Sequence, residues 1–452
     1  MSQRVKRTAM RPQGPLTIRH PHAAGIDVGS RAHWVAVPPE ADPESVRCFD
    51  GYTPDLHALS QWLRQCGVTT VALESTGSYW IPLFERLAED GFDVLLVHPQ
   101  YAQQAKRTKF PDVDDATWLQ KMHTYGLLPA SFRPDDTICR LRAYWRQRAR
   151  WVADAARYIQ LMQHALDQMN LHVHHVLTDL TGKTGLCLLR AMAAGETDPS
   201  TLARYRDRRV KCSEDELVRA LTGNYRPEHV LALRQALAAY DFCYQQAAEC
   251  DTAIQQELEA LAGGPAETLP PVGRRPPRSK NEPSYDFHPL LVRLAGGVDL
   301  TQLAGLSVLN LLTIHSEIGF AIDPWPTEHH FTAWLGLAPK HRKSAGKLLQ
   351  RRTKRGNRQV AWAFRMAALS LTDSAHPLGV FYRQVRARRG PTIALLATAR
   401  RIAILFYRAL HYGTAYVETG LTQLATQQTA RKTKQLQRLA DELGYALQPR
   451  AA

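Results

Sequence analysis

The stretch "AAGIDVGSRAHWVAVPPE", residues 23–40, places two short apolar runs on either side of a Gly29–Ser30 turn. Short runs bounded by turn residues predict strand, turn, strand. Asp27 lies inside the first run, between Ile26 and Val28. An ionised carboxyl there is costly unless it faces a partner or a functional site. Moving outward, "SVRCFDGY" (45–52) predicts a third strand. "TPDLHALSQWLRQCG" (53–67) predicts a helix, with Thr53, Pro54 and Asp55 as its start and Leu56, Leu59 and Leu63 on one face. "VTTVALEST" (68–76) and "FDVLLVHP" (92–99) read as strands around a helix in "SYWIPLFERLAEDG" (78–91). Three strands, helix, strand, helix, strand predict a mixed α/β sheet that begins with a meander.

Past about residue 116 the strand pattern disappears. Trp145, Val152, Ile159, Met162, Leu166 and Met169 recur at helical spacings, as do Val230, Leu233, Leu237, Tyr240, Tyr244, Ala247, Ile254, Leu258 and Leu261. Both segments predict long amphipathic helices, paired either within one chain or as a coiled coil between subunits. The segment 263–289, "GGPAETLPPVGRRPPRSKNEPSYDFHP", is rich in Pro, Gly and charge and reads as a linker. A largely helical region follows.

The bulk numbers agree with several domains and a polyanionic partner. The 452 residues exceed one ordinary core. A net charge of +15 points to nucleic acid. No apolar run is long enough to span a bilayer, and the basic start "MSQRVKRTAMRPQGPLTIRHPH" lacks the apolar segment of a signal peptide. A cytoplasmic protein is expected. The seven cysteines, at 48, 66, 139, 187, 212, 243 and 250, form no C-x-x-C pair, so reduced thiols are expected rather than disulfides or zinc.

Three further acidic positions join Asp27. Glu74 ends the run "VALE", at the carboxyl end of a strand, where sheets place reactive groups. Asp112 and Asp115 in "FPDVDDATWLQ" open a helix, and their i, i+3 spacing puts them on one face; Asp114 could replace either. Singly, these residues read as a strand end and as acids favoured by a helix dipole. Together they are the hard oxygen ligands that Mg²⁺ or Mn²⁺ prefers, as in two-metal phosphodiester chemistry.

The other unusual stretch is "PKHRKSAGKLLQRRTKRGNRQV", residues 339–360. It carries nine basic residues (Lys340, Arg342, Lys343, Lys347, Arg351, Arg352, Lys354, Arg355 and Arg358), no acid, and one serine, Ser344. On composition alone this is a basic loop that binds phosphate, with an incidental hydroxyl. "LAGLSVLNLLTIHSEIG" (303–319) reads either as two packed helices joined at Gly305 or as a hairpin whose second helix cradles a phosphate on its N-terminal N–H groups. His315 within it reads as a structural polar residue. Arg386, Arg388 and Arg389 form a basic knuckle before an apolar helix.

The order strand-Asp, strand-end Glu, helical D-x-x-D resembles the RuvC branch of the ribonuclease H-like fold. "GIDVGSRAHWVAV", "ALESTGSYW" and "DVDDATWLQ" resemble the N-terminal DEDD domain of the one-ten family of insertion-sequence transposases, in its eleven-eleven subgroup. "LAGLSVLNLLTIHSEIG" resembles the family's helix-hairpin-helix-like segment, and "FTAWLGLAPKHRKSAGKLLQRRTKRGNRQVAWAFRMAA" its C-terminal signature. The resemblance spans about 23–417. It implies a metal-binding tetrad of Asp27, Glu74, Asp112 and Asp115, and Ser344 as the nucleophile that attacks DNA. It also implies an element-derived guide or bridge RNA, and a dimer or tetramer. Family members usually carry Lys-Thr before the first Asp of D-x-x-D, where this chain has Phe110-Pro111.

The expected architecture is an α/β ribonuclease H-like (RuvC-like) domain at 23–125 after a basic leader (1–22). A helical dimerisation region (126–262), the linker (263–289), a mainly α serine-bearing domain (290–420) and a basic tail (421–452) follow. The expected activity is Mg²⁺-dependent DNA recombination. A Holliday-junction-type endonuclease or a non-catalytic nucleic-acid-binding protein are the alternatives.

Overall fold

A computed structural model describes residues 17–75, 77–98, 112–265, 277–278, 281–344, 347–353, 356–413, 426, 430 and 433–446; for 112–114, 340–344 and 347–353 it describes the backbone alone. The chain divides into two compact units, Met1–Arg133 and Pro134–Ala452.

In the first unit the strands are β1 (Ala23–Val28), β2 (Ala32–Ala36), β3 (Val46–Asp50), β4 (Thr70–Glu74) and β5 (Asp93–Val97). Helix α1 (Thr53–Gln65) precedes β4, α2 (Trp80–Glu89) precedes β5, and α3 (Asp112–Thr124) follows it. The sheet order is β3-β2-β1-β4-β5: β1, β2 and β3 pair antiparallel, while β4 and β5 add in parallel. This is the meander followed by helix-connected strands that the sequence predicts.

Strand alternation then sorts the side chains. Ile26, Val28, Val35, Val71 and Leu73 face α1 and α2, where they pack with Leu59, Trp62, Leu63, Leu83 and Leu87. Gly25, Asp27, Ala72 and Glu74 face the other way, toward α3; Ala72 packs there with Leu119 and Val97. Gly25 permits close approach, because a Cβ on it would collide with the backbone of Ala116 and Gln120.

The second unit is built on two long helices, α4 (Asp136–Gln168) and α9 (Pro227–Ala262). They run antiparallel within the chain: Arg140 bonds Glu257 at 3.0 Å, Arg148 pairs with Asp251, and Trp151 meets Phe242 edge-on. Between them lie α5 (Val173–Val176), α6 (Lys183–Ala193), α7 (Pro199–Ala203) and α8 (Glu214–Leu221). Leu188, Leu189, Leu202 and Leu217 from this group share a core with Met162 and Leu233 of the long pair. The amphipathic stripes thus close an intrachain hairpin.

Next come α10 (His288–Leu294), α11 (Val308–Ile318) and α12 (Glu328–Trp334). A two-stranded hairpin of β6 (Pro339–Ser344) and β7 (Lys347–Thr353) follows, then α13 (Arg358–Leu369), α14 (Pro377–Arg389) and α15 (Pro391–Tyr412). Phe331, Phe364 and Phe406 form the buried centre, with Phe364 edge-on to the other two rings. Helices on both sides of 263–289 belong to this one unit, because Trp145 and Arg146 of α4 bond to Thr313 and Glu317 of α11. Among the described residues no helix is long and apolar enough to cross a membrane.

Candidate active site

Asp27 and Glu74 are neighbours by register. The parallel β1/β4 pairing ends at Ile26↔Leu73, so the two acids take the next position on each strand and face the same side. Adjacent strands are about 4.8 Å apart, and both acids sit at carboxyl ends, the edge of such a sheet where function gathers. Glu74 is 4% exposed, and its neighbour across β5 is Val97. Ser75, next along, donates its N–H and hydroxyl to the Val97 carbonyl, each at 3.0 Å.

Helix α3 brings its acidic start to this edge because it runs antiparallel to β1. Its last residue, Thr124, accepts N–H bonds from Arg19 and His20, just before the strand begins. Ala116 and Gln120 press on Gly25. With a rise of about 1.5 Å per helical residue against about 3.3 Å per strand residue, helix positions 112–115 lie level with Asp27. The buried stripe Asp115, Ala116, Leu119, Gln120, His123 confirms the facing side, with Asp115 only 7% exposed. Toward the other end, His123 Nε2 meets the Thr70 hydroxyl at 2.9 Å. Burial, helped by the neighbouring His20, pushes the His123 imidazole down to about 4, so it locks the helix as a neutral group.

The basic stretch is a β-hairpin rather than a loop. Ser344 is the last residue of β6 and pairs with Lys347, and a register shift falls at Arg342/Lys343. The strands "PKHRKS" and "KLLQRRT" carry hardly any apolar alternation, which is why their pairing leaves little trace in the sequence. The hairpin is gripped at its feet. Before it, Gly336 takes φ +72°; after it, Gly356 lies so close to the 334–336 turn that a Cβ would collide with the backbone of Trp334, Leu335 and Gly336. Asn357 caps α13 by accepting from the N–H groups of Gln359 and Val360, each at 3.0 Å. Its amide also donates to Glu317 Oε2 at 3.0 Å. Glu317 is wholly buried in α11 and takes Arg146 through bonds of 2.7 and 2.9 Å, with Arg142 beside it. The hairpin is therefore tied through Asn357 and Glu317 to the long helix α4.

The 303–319 segment packs closely on α13. Gly305 takes φ +88° with the Ala367 carbonyl against it, and a Ser307–Asn310 capping box satisfies the start of α11. His315 is structural: it is buried, stacks on Phe320, and bonds the Gly319 carbonyl through Nδ1 at 2.9 Å. Sequence reasoning passed over Gly25, Glu317, Arg142, Arg146, Gly356 and Asn357. A lone Glu in the apolar run "LLTIHSEIGF" was the one available signal.

Of the expected tetrad, the fold brings Asp27 and Glu74 together, buries Asp115 in the helix across them, and starts that helix at Asp112, whose side chain lies outside the description. Among the described residues, no group of three or more His, Cys, Asp or Glu side chains is gathered closely enough to hold a metal ion. Asp27, Glu74 and Asp115 nonetheless offer only carboxylate oxygens, and this donor chemistry fits a hard divalent cation. The side chains of Lys340, Arg342, Lys343, Ser344, Lys347, Arg351 and Arg352, and all of Lys354 and Arg355, lie outside the described residues.

A five-stranded mixed sheet with a leading meander and acids at neighbouring strand ends is consistent with a ribonuclease H-like fold. Residues 24–171 match the DEDD transposase family of the IS110 type, and residues 299–383 match the transposase IS116/IS110/IS902 family. The chain belongs to the IS110 family of transposases. It is thus a DNA transposase or recombinase, and its DEDD domain implies use of a divalent metal ion. No curated protein matches the chain.

Proposed function

We propose that the protein excises and inserts its own mobile element by attack of Ser344 on DNA phosphodiesters, with Asp27, Glu74, Asp112 and Asp115 holding Mg²⁺ or Mn²⁺. The observation that carries this reading is the placement of Asp27 and Glu74 side by side at the sheet's carboxyl edge, with the acidic start of α3 level with them. A bound divalent ion would supply Lewis acidity to a phosphoryl oxygen. The chain's own contribution is the rest. Ser344 ends a strand fixed at its feet, so its position is set by the backbone. Loss of its proton leaves an alkoxide that the surrounding basic residues favour. Its Oγ then bonds to phosphorus as one P–O ester bond of the DNA breaks, and the leaving strand takes up a proton. One ester replaces another, so the strand can be rejoined without an outside energy source. Lys340, Arg342, Lys343, Lys347, Arg351, Arg352, Lys354, Arg355 and Arg358 are assigned to the flanking phosphates.

The resemblance to the family further supports an element-derived bridge RNA that chooses target DNA by base pairing, and a homodimer or tetramer in which carboxylates and serine come from different subunits. Exposed Leu161, Leu231, Phe242 and Leu261 on α4 and α9 favour self-association through the long helices.

The test is to trap the protein on element-end DNA and map the covalent adduct by mass spectrometry. An adduct at Ser344, lost in Ser344→Ala and in Asp27→Asn, is expected. Strand exchange that persists in Ser344→Ala but not in Asp27→Asn would leave a metal-dependent endonuclease of the Holliday-junction type. Binding of element-end DNA by the wild type with no cleavage and no adduct would leave a non-catalytic binding protein.

A further inference from the structure

The nine tryptophans, at 34, 62, 80, 118, 145, 151, 325, 334 and 362, all lie among the described residues, and eight of them are buried or half-buried. Trp362 is the exception, at 47% exposure. It sits on α13, the helix that leaves the foot of the serine hairpin. The opposite face of α13 is committed to the core through Val360, Ala361, Ala363, Phe364, Ala367 and Ala368. Trp362 is therefore presented outward by a helix that cannot rotate. Burying an aromatic of this size gains about 2–3 kcal/mol or more, so its exposure leaves a large contact surface in reserve.

Its surroundings specify the chemistry of the occupant. Arg358 lies one turn before it and Arg365 one turn after, both on its side of the helix by i−4 and i+3 spacing. From His329 to Thr372 the sequence has ten Lys and Arg residues and no Asp or Glu. An apolar partner protein has no use for that charge. A folded duplex hides its base faces in the stack, whereas a single strand offers bases to a flat aromatic and phosphates to the flanking cations.

We infer that Trp362 is a stacking platform for an unpaired base of single-stranded nucleic acid, with Arg358 and Arg365 holding the phosphates on either side. The inference rests on the nucleic-acid reading above and adds a base-contacting residue to it. It places single-stranded nucleic acid beside the serine hairpin, because α13 begins five residues after β7 ends.

The test uses the full-length protein with a 20-nucleotide oligo-dT and a 20-base-pair duplex as probes, each titrated at several salt concentrations. Oligo-dT is expected to quench tryptophan fluorescence in the wild type, and the quenching is expected to be largely absent in Trp362→Phe. Trp362→Phe should keep most of the oligo-dT affinity, whereas Trp362→Ala should lose roughly 5- to 100-fold, the range of one base–aromatic stack. The salt slope should stay that of the wild type, because no phosphate contact is removed. Arg358→Ala should instead make that slope shallower. Duplex affinity should be unchanged in Trp362→Ala. Oligo-dT affinity in Trp362→Ala equal to wild type, or equal losses on duplex and oligo-dT, overturns the inference while leaving the nucleic-acid reading intact. A change in oligomeric mass in Trp362→Ala would assign the face to a second copy of the chain and overturn it as well. If the wild type binds neither probe, the broader reading fails and takes this inference with it.

Discussion

Glu317 and Arg146 join α11 to α4 through two hydrogen bonds, 2.7 Å from Nε and 2.9 Å from Nη2, around a carboxylate with no solvent exposure. Arg142 and Asn357 converge on the same group. Removing the acid strands cations that are partly out of water, and breaking such a buried pair costs on the order of 3 kcal/mol. Glu317→Ala is expected to lower the unfolding free energy from urea titration by that amount, and Glu317→Gln by less, since it keeps a hydrogen-bond acceptor. Equal stability of Glu317→Ala and wild type in urea would refute the role of this cluster as a structural tie.

Gly25 offers a test of how α3 is held against the sheet. Its missing Cβ is the space occupied by the backbone of Ala116 and Gln120, and neither can move without the helix moving. Gly25→Ala should lift α3 from β1 at a cost of about 1–3 kcal/mol and carry Asp115 away from Asp27 and Glu74. Metal-dependent DNA cleavage should fall further than the stability loss explains. A variant with wild-type cleavage and wild-type melting temperature would show that α3 tolerates the shift.

The parts legible in sequence were those set by local pattern. Asp27 stood out because it interrupts an apolar strand, and the meander showed because "AAGIDV" and "AHWVA" are short, apolar and split by a Gly29–Ser30 turn. What stayed hidden depends on pairs far apart in the chain. Gly25 matters only because Gln120, 95 positions later, lies on it. The meeting of Arg146 with Glu317 spans 171 positions. The long-helix spacings fitted an intrachain pair and an intersubunit coil alike, and the Arg140–Glu257 and Arg148–Asp251 contacts decide for the first within this chain. The serine stretch reads as loop because charge, rather than alternation, fills both of its strands.

Two buried histidines set an acid limit. Burial pushes both His123 and His315 down to about 4, against about 6.5 in an unfolded chain. Between those values the unfolded chain binds protons that the folded one refuses, so stability falls as pH drops from about 6.5 to 4. Each histidine contributes up to about 1.4 kcal/mol per pH unit across that window. Burial lowers His33 and His376 in the same direction. The carboxylates of Asp90 and Asp207, held down to about 2 by Arg86 and Arg209, stay ionised in the folded chain across this window and add to the loss only below about pH 5, where the unfolded carboxyls begin to take up protons. Urea midpoints measured from pH 4.5 to 7.5 should show this loss. His123→Gln, which can still bond Thr70 but does not titrate, should flatten it, and an unchanged slope in that variant would remove His123 from the account.

Gly356 separates the two halves of the proposed chemistry. It lies against the backbone of Trp334, Leu335 and Gly336, so a methyl group there meets peptide atoms rather than a yielding side chain. Gly356→Ala should pry apart the feet of the β6–β7 hairpin and loosen the position of Ser344, while Asp27 and Glu74 in the first unit are untouched. Ligand binding to the folded state raises the melting temperature. Mg²⁺ or Mn²⁺ should therefore stabilise Gly356→Ala as much as wild type, whereas Asp27→Asn should lose that response. Strand joining should follow the opposite order for the hairpin variant: a fall of tenfold or more is expected if the foot's collapse costs about 1.4 kcal/mol or more in the transition state. A Gly356→Ala protein that joins strands at the wild-type rate would show that the grip on the hairpin's feet does not set the serine's position.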